Sequence, residues 1–276
     1  MRVGMLAIVL LLAGCAGSRL PAAIPVQAPV VTPAAGGMSQ TEVASEVARL
    51  HDAFDREVPE RARDGGAEAT RAWVRRATSA LALAQVTIDR PQLVVVVDRN
   101  PAVQQLRIIL AQSQGPWQVI GGSSVSTGQA GRRGYFITPV GVFPHTDAIL
   151  DYRAQGTFNA NHIRGLGLKG MRVWDFGWQT AEQGWRSDGD TSEIRMEMHA
   201  TDPDYLEQRL GQPASEGCVR VPATMNRFLD LHGVLDADYE RAAYDDVRFA
   251  SVLLPDRQPT PLAGNLLVVI DSSQAG

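Results

Sequence analysis

The sequence predicts a mostly β domain with peripheral helices and a small helical region ahead of it. Three observations carry that expectation. Leu93-Val94-Val95-Val96-Val97 is a continuous β-branched run, the composition of a buried strand. Further short apolar stretches, Leu106 to Leu110 and Trp117 to Ile120, are set apart by Asn100-Pro101 and Gln114-Gly115-Pro116, which are turn formers. Glu193 to His199 alternates cleanly, placing Ile194, Met196 and Met198 on one face and Glu193, Arg195, Glu197 and His199 on the other.

Composition bounds the classes that remain. The chain has 276 residues, is 45% hydrophobic and 20% charged, and carries a net charge of −4. That is enough for one or two domains with a real core. Its slightly acidic balance excludes non-specific nucleic-acid binding, which needs a basic face. No apolar run reaches the roughly 18 residues of a spanning helix.

The first residues read as an address rather than as fold. Arg2, the apolar run Met5 to Leu12 and the small-residue tail Leu12-Ala13-Gly14-Cys15 have the layout of a secretory signal. The tail resembles the bacterial lipobox, in which the cysteine is lipidated and begins the mature chain. The resemblance implies a signal peptide over residues 1–14 and lipid on Cys15. Ala16, where an Asp would retain the protein at the inner membrane, implies an outer-membrane lipoprotein facing the periplasm. Residues 15–38, rich in Ala, Pro and Gly, then read as a flexible tether.

A helical region is expected over 39–90. Ser39 is placed to cap, Glu42 follows three later, and Val43, Val47, Leu50 and Phe54 recur at helical spacing. Pro59 and Asp64-Gly65-Gly66 break that helix, and Trp73, Val74, Ala77, Leu81 and Ala84 stripe a second. Residues 91–271 form the main domain. Ser123 to Thr127 and Tyr135 to Ile137 continue its β-rich part. Residues 144–190, holding Phe158, Trp174, Phe176, Trp178 and Trp185, read either as a lid or as core. Pro222 to Gly233 reads as a short helix, 236–263 as an acidic, Pro-containing insertion, and Leu266 to Ile270 as the last strand.

The chemistry concentrates near Cys218. With Cys15 lipidated, Cys218 is a lone thiol in an oxidising compartment, either reactive or a buried inert residue. A thiol of ordinary pKa is only a few per cent ionised at neutral pH, so a nucleophilic Cys218 needs a base or a positive neighbour. His199, on the polar face of its strand, can supply either. Gly217 permits a tight turn that aims the Gly217 and Cys218 amides at a developing oxyanion. Pro222 suits the start of a helix whose N-terminus would favour thiolate. Ser215 is expected to bond local backbone. Arg220 either holds a substrate carboxylate or pairs within the domain.

Val125-Ser126-Thr127-Gly128, Thr138-Pro139-Val140-Gly141-Val142-Phe143, His199 and Ser215-Glu216-Gly217-Cys218-Val219-Arg220 follow one another in order. Together they resemble the L,D-transpeptidase catalytic domain (YkuD) family over roughly residues 92–235. The resemblance implies an L,D-transpeptidase-like β-sandwich or barrel that closes with Leu266–Ile270. It implies Cys218 as nucleophile, His199 as proton donor and acceptor, and the Ala200 carbonyl as the group that orients the imidazole. It further implies acyl transfer from a peptidoglycan tetrapeptide stem, through a Cys218 thioester, to an amine. The acceptor is another stem or a lysine of an outer-membrane protein; water instead makes an L,D-carboxypeptidase. No diffusible cofactor or metal is implied.

Two positions depart from the family pattern. Glu216 stands where the family usually has His, and Ala200 where it usually has Gly. Glu216 either faces the thiol, disfavouring thiolate and repelling anions, or turns away to pair with an arginine. It is also the best support for the alternative, a non-catalytic lipoprotein that binds wall peptides.

Overall fold

The computed structural model describes residues 37–60, 62 and 65–274. The expected signal peptide, Cys15, the tether up to residue 36 and Asp64 lie outside the described residues.

Helix α1 (Gln40–Glu57) opens with a capping box: Glu42 N–H donates to Ser39 Oγ, and the Glu42 carboxylate accepts from Ser39 N–H at 2.7 Å. Helix α2 (Gly66–Leu83) follows Gly65, which sits at φ +64°. Strands β1 (Gln92–Asp98), β2 (Gln105–Ala111), β3 (Gln118–Ser124), β4 (Gly141–Pro144) and β9 (Leu266–Ile270) form one sheet, in the order β3-β2-β1-β9-β4. Its only parallel pair is β1 with β9.

The valine run is continuous because β1 is covered on both faces. Leu93, Val95 and Val97 point into a cluster with Val47, Leu50 and Phe54 of α1. Val94 and Val96 point into a second cluster with Trp73, Ala77 and Leu81 of α2. The two helices therefore sit on opposite faces of this sheet.

A second sheet orders as β5-β6-β7-β8, from β5 (Tyr152–Arg153), β6 (Arg172–Glu182), β7 (Thr191–Ala200) and β8 (Val219–Val221). Trp174 and Phe176 of β6 and Met196 and Met198 of β7 join the α1-side cluster. So do Met225, Phe228 and Leu229 of α3 (Ala223–Leu231). That shared core holds the two sheets together.

Three expectations need correction. Strand and helix occupy equal shares, 27% each, and no barrel closes, so the fold is mixed α and β rather than mostly β. Part of the missing helix lies in the acidic segment 236–263, which folds into α4 (Ala237–Asp245) and α5 (Val247–Val252). These pack Tyr239, Ala243, Phe249, Val252 and Leu253 into a satellite cluster. Tyr135 to Ile137 is not a strand; only Phe136 makes an isolated bridge, to Gln183.

Candidate active site

The site lies on one face of the second sheet. Alternation along β7 sends Met196 and Met198 into the core, which leaves Arg195, Glu197 and His199 on the other face. Strand β8 runs parallel to β7 with His199 opposite Arg220, and Cys218 enters just ahead of β8. Residues in register on parallel strands point the same way, so His199 and Arg220 share that face. Cys218 sits against β7 one repeat earlier. Its sulfur donates to the Arg195 carbonyl at 3.8 Å.

His199 is 4% exposed, and its Nδ1–H donates to the Ala200 carbonyl at 2.8 Å. That bond fixes the tautomer, because a carbonyl only accepts, and it leaves Nε2 with a lone pair. Burial pushes the His199 pKa down to about 4, and the Arg220 charge adds to the effect. Burial pushes the Cys218 thiol up to about 11; the Glu197 and Glu216 carboxylates push the same way, against Arg220. The resting pair is thus a neutral thiol and a neutral imidazole. His199 rests neutral and so is not the positive neighbour also expected of it, because its burial removes the charge.

The loop that carries Cys218 is seated by the upstream motifs. Ser126 and Arg220 exchange main-chain hydrogen bonds at 3.0 and 2.8 Å, and Ser215 N–H donates to Thr127 O at 3.0 Å. Buried Thr138 ties three motifs together with one hydroxyl: Oγ1 donates to Gly217 O at 2.7 Å and accepts from Gly128 N–H at 2.8 Å. Gly128 has no room for a side chain, since a Cβ there would stand 1.9 Å from Phe136 O. Gly217 is at φ +134°, where a Cβ would also meet Ile194 at 2.7 Å.

Other expectations change with the geometry. The Gly217 N–H donates to Ser215 Oγ at 3.2 Å, so it is already engaged and does not stand ready for an oxyanion. Ser215 Oγ itself donates to Cys218 O at 2.5 Å, a local backbone role. The α3 N-terminus lies beyond β8, and its Ala223 N–H is taken by Glu207 Oε1 at 2.6 Å, so it does not serve the thiol. Glu216 is exposed and makes no ion pair among the described residues; its carbonyl accepts from Phe136 N–H at 3.2 Å. Arg220 also forms no ion pair among them. Its Nη1 donates to Ala214 O at 3.2 Å, and its Nε is buried without a partner.

Residues 144–190 divide between the two readings. Trp174 and Phe176 are core, whereas Phe158 and Trp178 are exposed. The loop between β5 and β6 is pinned beside the site by Arg164, whose N–H and Nη1 reach Asp202 at 2.7 and 3.2 Å.

Sequence reasoning missed a rank of polar residues around the thiol. Tyr152 Oη donates to Glu197 Oε1 at 2.8 Å, and Arg195 closes on Asp175 at 2.6 Å. It also missed Gln104, whose Oε1 accepts from Thr127 N–H at 2.8 Å. The alternation of β7 signalled Glu197 and Arg195; nothing in the sequence signalled Tyr152 or Gln104. Compared with known proteins, the chain matches no family model and has no significant match among curated proteins.

Proposed function

We propose that this chain is a peptidoglycan L,D-transpeptidase, anchored to the outer membrane through lipid on Cys15. One observation carries the reading: Cys218, one residue ahead of β8, and His199 of β7 belong to adjoining strands, and the imidazole is oriented by the Ala200 carbonyl with no hydrogen bond at Nε2 among the described residues. A nucleophile and its base need to share a face and come within hydrogen-bond reach, and the shared face supports that reading. The four ordered motifs support it, since Thr138 and Thr127 seat the very loop that presents Cys218.

In this reading Cys218 Sγ attacks the carbonyl of the third residue of a tetrapeptide stem, usually meso-diaminopimelate. The thiol proton passes to His199 Nε2 and then to the departing D-Ala amine. A thioester forms as the peptide bond breaks. An acceptor amine attacks that thioester, gives its proton to Nε2, and the sulfur recovers a proton as it leaves. Because both partners rest neutral, thiolate forms only as the attack proceeds. Arg220, which has no ion pair among the described residues and whose Nε is buried without a partner, is the candidate to hold a stem carboxylate. The acceptor is a second stem or a lysine of an outer-membrane protein; water makes the same site a carboxypeptidase.

The high thiol pKa favours the other reading, a wall-binding lipoprotein without catalysis. Mass spectrometry of tetrapeptide muropeptides incubated with the protein separates the two. Loss of D-Ala with dimer formation, absent with Cys218→Ala, is expected of the transpeptidase. Loss of D-Ala without dimers assigns a hydrolase. Unchanged muropeptides, with no reaction of Cys218 towards a carbapenem, assign a binding module.

A further inference from the structure

Strand β6 breaks its own alternation to put an indole outside the core. Trp174 and Phe176 are buried in the shared core, so strict alternation would bury Trp178 with them. Instead the ladder slips: Asp175 pairs with Glu197 and Trp178 with Arg195, three steps along β6 against two along β7. Gly177, at φ +76°, absorbs the extra residue, and its N–H donates to Asp175 Oδ1 at 2.8 Å. This bulge turns Trp178 onto the face that carries Arg195, where the indole is 63% exposed. Burial of a large apolar ring is forgone there, next to the candidate site. Arg195 links the two: its guanidinium lies 5.8 Å from the Trp178 ring centroid, and its carbonyl accepts from Cys218 Sγ at 3.8 Å. Trp178 on β6 and Cys218 at the head of β8 thus flank β7, two strand spacings or about 10 Å apart.

The groups around the indole select its occupant. Arg195 is held by both Asp175 oxygens at 2.6 to 2.9 Å. Glu193 accepts from Thr180 Oγ1 at 2.6 Å, and Glu197 from Tyr152 Oη at 2.8 Å. Asp175, Glu193 and Glu197 outnumber Arg195 on this part of the face, which disfavours an anion. Two of these carboxylates already take a hydroxyl, the group a polyhydroxylated ligand would offer them. An apolar platform rimmed by such acceptors matches a ring with an apolar C–H face and hydroxyl groups at its edge. We propose that Trp178 is the platform of a carbohydrate subsite, on which one pyranose ring of an uncharged glycan stacks beside Cys218. The subsite itself does not require Cys218 to react. That its glycan is the one bearing the peptide stem rests on the transpeptidase reading, and there it makes the site favour stems still attached to sugar over free peptide.

The test is direct binding of N-acetylchitotetraose, an uncharged glycan, to the full chain by titration calorimetry. Wild type should bind it saturably, and raising salt should leave the affinity unchanged, since no ion pair forms. Trp178→Ala should weaken binding by at least about tenfold, whereas Trp178→Phe, which keeps an aromatic face, should stay within about threefold of wild type. A second readout needs no variant: brief oxidation with N-bromosuccinimide, mapped by mass spectrometry, should modify Trp178 in the free protein and spare it when the glycan is bound. Absence of saturable binding, equal affinity in folded Trp178→Ala, or a Trp178 that the glycan does not protect would each overturn the proposal. So would a sugar-free tetrapeptide stem that protects Trp178 as well as the glycan does, which would assign the indole to peptide. Unchanged muropeptides together with Trp178-dependent glycan binding would sink the transpeptidase reading and leave the subsite in place.

Discussion

At the scale of single residues, His199 is the most consequential buried group. Its folded pKa of about 4 lies below the ordinary value of 6.5, so the unfolded chain binds more protons between those pH values. Stability from this residue is therefore complete above about pH 6.5 and declines as pH falls towards 4. The shift corresponds to roughly 3 kcal/mol. Asp236, pushed up to about 6 by burial, works in the opposite sense over much of the same range. The difference between wild type and His199→Gln isolates the histidine: wild type should lose about 3 kcal/mol more on going from pH 6.5 to pH 4 in urea unfolding. Equal pH slopes for the two would show that the imidazole is not held neutral.

Thr138 offers a second residue-scale prediction. Thr138→Val keeps the shape but removes the hydroxyl that Gly128 N–H and Gly217 O share. Both orphaned groups are buried, so about 1–3 kcal/mol of stability should be lost, measured by urea unfolding. Thiol reactivity should change as well, since the turn before Cys218 loosens. Cys218 and His199 as site candidates were legible in the sequence through ordered motifs and the clean alternation of β7. Tyr152 and Gln104 were not, because they reach the site from strand β5 and from the β1–β2 turn, by side-chain contacts that no local pattern encodes.

At the scale of elements, β5, β6 and the α3–α4 junction are joined by a buried ionic network. Arg172, fully buried, reaches Asp151 at 2.8 Å, Asp236 at 3.1 Å and Asp230 at 3.6 Å. His145 donates to both Leu235 O and the Asp151 carboxylate at 2.9 Å, a pattern that needs both ring protons. Burial opposes that charge, but the Asp151 carboxylate outweighs it and raises the His145 pKa. Arg172→Met would leave these carboxylates without their cation and should cost about 3–5 kcal/mol, read by denaturant unfolding. A loss below 1 kcal/mol would mean that the network adds little. Helices α4 and α5, which close over this network, were illegible in the sequence. Their buried residues are few, Tyr239 and Ala243 in one and Phe249 and Val252 in the other, and charged residues interrupt both.

At the scale of the whole molecule, the N-terminal helices are walls of the core. Helix α1 covers the sheet face turned towards the second sheet, and α2 seals the opposite face. Trp73 is 7% exposed, with Arg107 lying 5.2 Å over its ring. Trp73→Ala should cost about 3–5 kcal/mol through the cavity it leaves. Removing residues 37–83 should yield an unfolded or aggregating chain, seen as loss of the cooperative melt, because it bares both faces of β1. The sequence placed these two helices correctly, since their apolar stripes and the Ser39–Glu42 cap are local signals. Their seat on opposite faces of one sheet depends on β9 returning beside β1 from far along the chain, which no local pattern announces.

The central claim is that Cys218 forms the acyl-enzyme with His199 as its base, and peptide mapping of that adduct tests it most directly. The protein would be quenched in acid after brief exposure to a tetrapeptide stem, digested, and the Cys218 peptide weighed. A mass increase equal to the stem acyl group lacking D-Ala, present in wild type, absent in Cys218→Ala and strongly reduced in His199→Gln, is the expected result. An unmodified Cys218 in folded wild type, or an equal adduct in His199→Gln, would contradict it.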